Sequence, residues 1–185
     1  MSASQFSVEA AAALSEGHTA RRDNRLEDAR AAYTRAVNLA RYSDDTATLA
    51  ETVKYLGKIE RDLGEIDASL RHYQEAAALV RTLNHPLNIA HTIRHIADIL
   101  REKGEPDRAA PYYDEALILY RRNPKAPPLD LANALRGLAL NKADLGDRPA
   151  AIQIWQEASA LYKKVNIPAG IAESEHQITL LRDVS

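Results

Sequence analysis

Residues 104–116 read GEPDRAAPYYDEA, and three other stretches carry the same pattern: NRLEDARAAYTRA at 24–36, GEIDASLRHYQEA at 64–76 and GDRPAAIQIWQEA at 146–158. Their aromatic residues are Tyr33, Tyr73, Tyr113 and Trp155, and their closing alanines are Ala36, Ala76, Ala116 and Ala158, so the pattern advances by 40, 40 and 42 residues. The upstream halves keep the same frame, with LAETVKYLG from Leu49, IAHTIRHIA from Ile89 and LANALRGLA from Leu131. A period held by several independent columns marks a repeat architecture. The two additional residues fall before the last unit, where NPKAPP at 123–128 concentrates turn chemistry.

Each unit reads as two helices. In the second unit Leu49, Val53, Leu56, Gly57 and Glu60 follow helical spacing, then comes Gly64, then Ile66, Leu70, Tyr73, Ala76 and Leu79. That spacing places one apolar stripe on each helix. Alanine supplies 33 of the 185 residues against 7 glycines and 8 prolines, a helix-forming balance, and alternating strand patterns are absent. Asp44, Asp45, Asn84 and Asp130 precede helices, where such side chains cap free N–H groups. Gly64, Gly104 and Gly146 stand where first helices stop, a place for left-handed backbone, and Asn24 holds it in the first unit. Pro86, Pro128 and Pro168 open first helices, where a missing N–H costs least.

Small residues, Gly57, Ala97 and Ala139 in first helices and Ala29, Ser69, Ala109 and Ala151 in second helices, permit close approach. The aromatic column then fills the gap between neighbouring units. The expected architecture is all-α: an α-α superhelix of four helix-turn-helix repeats, about 7–43, 44–84, 85–125 and 127–165, with a capping helix at 168–183, in a single domain spanning 1–185. The last segment echoes only a first helix, NIPAGIA from Asn166 matching NHPLNIA from Asn84, and carries Glu175, His176 and Gln177 where a continuing array would be apolar.

Composition narrows the function. The chain has 24 basic and 26 acidic side chains and no cysteine. A near-neutral balance argues against a nucleic-acid or membrane binder, and without cysteine there is no disulfide, thiolate metal site or cysteine nucleophile. No apolar run is long enough to span a membrane, and MSASQFSVEA lacks the features of a secretory signal, so a soluble cytoplasmic protein is expected.

The units resemble tetratricopeptide (TPR) repeats, with small residue, aromatic and alanine in order along the second helix (Ala109, Tyr113, Ala116). Their 40–42 residue length, and the stretch from His85 onward (HPLNIAHTIRHIADILREKGEPDRAAPYYDEALILYRR), are similar to the longer repeats of kinesin light chains. The resemblance implies a right-handed superhelix whose concave groove, lined by first helices, binds extended peptides or partner helices without catalysis.

In that frame the groove columns are Leu14, Lys54, Arg94 and Arg136; His18, Lys58, Asp98 and Leu140; and Arg21, Arg61, Arg101 and Ala143. Seven of these twelve are Lys or Arg in a chain with more acids than bases, and one sign of charge in a concavity focuses potential on its ligand. A peptide or protein partner rich in Asp or Glu is the natural inference, with Lys54, Tyr55, Lys58, Arg61, His91, Arg94, His95, Arg101, Asn133 and Arg136 as the peptide-binding residues. The alternative is that these are solvated faces paired with Asp62, Asp98, Glu102 and Asp144. The carboxylate clamp of chaperone-binding relatives is not reproduced, since Lys54 fits but Lys58, His95, Asn133 and Gly137 do not. Of the asparagines that hold peptide backbone in light-chain-type repeats, Asn133 alone remains.

His91 and His95 lie one helical turn apart with Asp98 on the same face, but HTIRH lacks the glutamate of an HExxH site, and no cofactor or metal is expected. Glu60 and Asp62 read as surface carboxylates, His72 and His85 as surface or loop residues, and Trp155 as core. Nucleophile-elbow and phosphate-loop patterns are absent, so an enzyme is not expected. A second reading is a monomer or weak homodimer pairing through the alanine-rich N-terminal helix, as a structural or regulatory module.

Overall fold

The computed structural model describes residues 2–183, and the chain divides into two compact units between His85 and Pro86. The first unit holds α1 (Ala3–Arg22), α2 (Leu26–Ala40), α3 (Thr46–Asp62) and α4 (Ile66–Thr82). The second holds α5 (Pro86–Glu102), α6 (Pro106–Arg122), α7 (Pro128–Asp144), α8 (Arg148–Lys164) and α9 (Pro168–Asp183). Every described element is a helix, so the fold is all-α: four helix-turn-helix repeats and a ninth helix. Within each unit, paired helices pack as hairpins and each second helix packs against the following first helix.

The repeat signals act as read. Gly64, Gly104 and Gly146 adopt left-handed backbone, and Asn24 does so at the matching place. Pro86, Pro128 and Pro168 each begin a helix. The 40–42 step comes from the connection at 123–127, two residues longer than that at 83–85. Some assignments differ. Asp45 caps α3 by accepting from the Thr48 N–H at 3.0 Å, but Asp130 lies inside the first turn of α7. Asn84 is a left-handed residue with φ of 51°, as is Asn166 at the end of α8, because both end a second helix. The first repeat starts earlier than residue 7: Ser2 and Gln5 form a reciprocal capping box that starts α1 at Ala3.

Aromatic-on-small packing forms the core of each unit. Tyr33, Tyr73, Tyr113 and Trp155 are all buried, each contributing about 2–3 kcal/mol by area. Tyr33 lies over Gly17 of α1, and Tyr73 over Gly57 of α3, where a β-carbon would sit 3.0 Å from the ring. Tyr113 leaves its own repeat to cover Gly137 of α7, where a methyl group would overlap the ring. The Ser69 hydroxyl donates to the Gly57 carbonyl at 2.7 Å, stitching α4 to α3 at their closest approach. Two residues read as surface are in fact part of this packing. Glu60 is buried, reaching Arg30 at 4.0 Å, and His72 is half-buried with its Cβ against Gly57.

One buried residue breaks the pattern. Asn141 of α7 is fully buried at the position of Ile59 and Ile99, and neither amide atom of its side chain has a hydrogen-bond partner. A buried amide without partners costs about 1–3 kcal/mol. Asn141→Leu is therefore expected to stabilise the protein by about that much in a urea titration. Gly137→Ala is expected to lose about 1–3 kcal/mol, because the buried Tyr113 ring has no room to yield.

Candidate functional site

All ten residues expected to bind peptide are half-buried and lie on first helices, but in two separate units. Helix α3 carries Lys54, Tyr55, Lys58 and Arg61; α5 carries His91, Arg94, His95 and Arg101; and α7 carries Asn133 and Arg136.

In the first unit these side chains surround an aromatic cluster. Tyr55 stacks on Tyr33 with centroids 5.8 Å apart and meets the edge of His18 at 4.3 Å. His18 Nδ1 lies 2.9 Å from the Tyr33 hydroxyl. Burial lowers the His18 pKa, against the pull of Glu51, and Arg22, Lys58 and Arg21 push it the same way. Arg21 donates to Asp62 at 2.8 Å. Lys54 is different: its ammonium stands 5.2 Å from the Tyr55 centroid and forms no ion pair among the described residues. Burial depresses its pKa, and Glu51 offsets this only in part.

In the second unit the arginines are paired. Arg94 donates to Asp98 at 2.7 Å and approaches His95 Nε2 at 2.9 Å. Asp98 also accepts from the Tyr113 hydroxyl at 2.8 Å, so the same side chain holds the face and ties it to the core. Arg101 reaches Asp144 at 3.2 Å, and Arg136 grips Glu173 of α9 through two hydrogen bonds of 2.7 and 2.6 Å. Such bidentate pairs are the strong kind. Asn133 accepts from the Tyr162 hydroxyl at 2.9 Å. Burial raises the pKa of Tyr113 and Tyr162 and pushes Tyr120 up to about 12, so all three phenols stay neutral.

The pairings anticipated with Asp62, Asp98 and Asp144 are present, and Glu173, Tyr113 and Tyr162 join them without having been read as part of the site. Tyr113 carried a signal, its place in the aromatic column, but not the direction of its hydroxyl. His91 and His95 face each other edge-on at 4.9 Å, yet among the described residues no group of three His, Asp or Glu side chains is placed to hold a metal ion. Likewise, no described helix is long and apolar enough to cross a membrane.

A family model described as Tetratricopeptide repeat matches residues 46–122 and 87–164, together more than half of the chain. The chain belongs to the tetratricopeptide repeat family. Among solved structures, BtubC (BKLC) from P. vanneervenii is similar with a TM-score of 0.78 and 17% identity, covering 95% of this chain and 82% of that one. Aspartyl phosphate phosphatase F from Bacillus subtilis gives 0.83 at 15% identity, covering 93% of this chain and 45% of that one. A Rap protein complexed with competence and sporulation factor gives 0.77 at 17% identity, covering 94% and 48%. This TPR chain thus spans about half the length of the last two, and at such identities the likeness is one of fold. Comparison with curated protein sequences finds no match.

The lowered Lys54 pKa has a consequence for stability. The unfolded chain holds this proton up to about 10.5 while the folded chain releases it earlier, so the cost of burying the charge is fully present at neutral pH and disappears as pH rises through the unfolded value. Lys54→Met is expected to be more stable than wild type at pH 7 by denaturant titration, with the gap closing above pH 10.5.

Proposed function

We propose that this TPR chain is a non-catalytic protein-interaction scaffold that presents the first-helix faces of its repeats to a peptide or partner segment carrying acidic side chains. TPR arrays serve in general as non-catalytic protein–protein interaction modules, and one structural relative, a Rap protein, is complexed with competence and sporulation factor.

The observation that carries the acidic preference is Lys54. Arg21, Arg94, Arg101 and Arg136 each already hold a carboxylate, so an acidic ligand on them must displace one. A ligand carboxylate at Lys54 displaces nothing and relieves a desolvated charge. Tyr55 beside it supplies a ring for an apolar neighbour in the peptide. On α7, Asn133 uses its carbonyl oxygen on Tyr162, which leaves its amide N–H groups to donate to a peptide carbonyl. Pre-organised pairs and stacked rings keep the ordering cost of binding low.

The test is a selection of displayed random peptides on wild type and on Lys54→Glu. Ligands enriched in Asp and Glu are expected, with affinity for Lys54→Glu reduced about ten- to hundredfold, the worth of a charge-assisted hydrogen bond. Peptides without acidic bias that bind both proteins equally overturn the acidic reading. If no peptide binds wild type, the scaffold reading itself fails.

A further inference from the structure

The N-terminal edge of the first unit departs from its own repeat pattern in two opposite ways. Positions that other first helices use for packing on a preceding repeat are polar in α1. Glu9 replaces Leu49, Ile89 and Leu131, Glu16 replaces Leu56, Ile96 and Leu138, and Thr19 replaces Ile59 and Ile99. Continued stacking of repeats on this edge is thereby disfavoured.

Beside it, positions that hold polar residues or proline in the later repeats are aromatic or small. Phe6 stands where later repeats have Thr46, Pro86 and Pro128, and Tyr42 where they have Thr82, Arg122 and Lys164. Along the outer stripe of α2, Ala31 replaces Arg71, Pro111 and Gln153, and Thr34 replaces Gln74, Asp114 and Gln156. The result is a cleft of about 720 Å³ whose lining includes Ala31, Thr34 and Leu39 together with Phe6 and Tyr42, whose rings are 5.4 Å apart. Tyr42 is 70% exposed, so one surface carries both a hole and a protruding ring.

From this geometry we propose that the cleft is the interface of a two-fold homodimer in which Tyr42 of each copy enters the cleft of the other. A two-fold interface must be self-complementary, and the α2 stripe is. When the α2 helices of two copies run antiparallel, with Ala31 opposite the partner's Tyr42 in the turn just past α2, Thr34 falls opposite the partner's Leu39 and Arg35 opposite the partner's Asn38. Small thus meets large, and a guanidinium donor meets an amide acceptor. The charges bordering the cleft are already matched, Arg30 to Glu27 and Arg35 to Glu16, so no uncompensated like charges are brought together. This inference is independent of peptide binding on the first-helix faces, which involves other residues.

The absence of cysteine makes a direct test available. Purified Ala31→Cys and Tyr42→Cys proteins are mixed and oxidised, and wild type is followed by sedimentation from micromolar to sub-millimolar concentration. The expected result is a reversible wild-type dimer, rapid disulfide formation in the mixture, and slow cross-linking when Ala31→Cys is mixed with Ile118→Cys, an exposed site in the second unit. Ala31→Arg, on an exposed helix face and therefore expected to fold, should weaken the dimer at least tenfold. A wild type that stays monomeric throughout overturns the proposal, even if the cleft takes an amphipathic helix from elsewhere. A dimer that Ala31→Arg leaves intact, or equal cross-linking of both mixtures, overturns it as well.

Discussion

The close approach of a second-helix aromatic ring to a small residue on a first helix is the constraint on which the rest of the molecule depends. Tyr33 on Gly17, Tyr73 on Gly57 and Tyr113 on Gly137 set the separation of helices in each unit. Because the interior is close-packed, that separation fixes where the first-helix side chains emerge. Tyr113 shows the coupling most directly. Its ring packs on α7, while its hydroxyl holds Asp98, which in turn holds the half-buried Arg94 on the first-helix face. A core contact thereby positions a cation of that face.

The same coupling changes the meaning of the basic columns. Seven Lys or Arg side chains in twelve positions read as a strongly positive surface when counted along the chain. In the folded protein Arg21, Arg101 and Arg136 sit against carboxylates from neighbouring helices and Arg94 against Asp98 of its own, so four of the seven charges are locally compensated. What remains is local: a desolvated Lys54 beside stacked rings in one unit, and ordered phenol and amide groups in the other. Under the proposed function, recognition rests on a few placed groups more than on a broad field.

Fold was legible in the sequence because its determinants recur. A ring that needs a small partner at a fixed offset leaves two linked columns, and the left-handed turns leave Gly or Asn at a third. Helix α1 was less legible, since its stretch of alanines shows little stripe and its start depends on a local capping box. The site was legible by position only. Each candidate residue lies on the helix assigned to it, but some of the charges are compensated by residues far along the chain and others by residues one turn away, as Asp98 compensates Arg94. Glu173 lies 37 residues from Arg136, and Asp62 lies 41 from Arg21. The Arg21–Asp62 pair recurs in the repeat frame as Arg101–Asp144 and was legible for that reason, whereas α9, which supplies Glu173, falls outside the four full repeats. Asn141 shows the reverse case, a residue that its column marks as core and whose chemistry departs from it.

The most direct measurement is the ionisation of Lys54 itself, followed by side-chain NMR with assignment by the Lys54→Met difference. A titration midpoint below the ordinary lysine value of 10.5 is predicted, since burial of this cation outweighs the opposing pull of Glu51. A midpoint at or above that value would contradict the account, because it would mean that Lys54 is already as well compensated as the arginines around it.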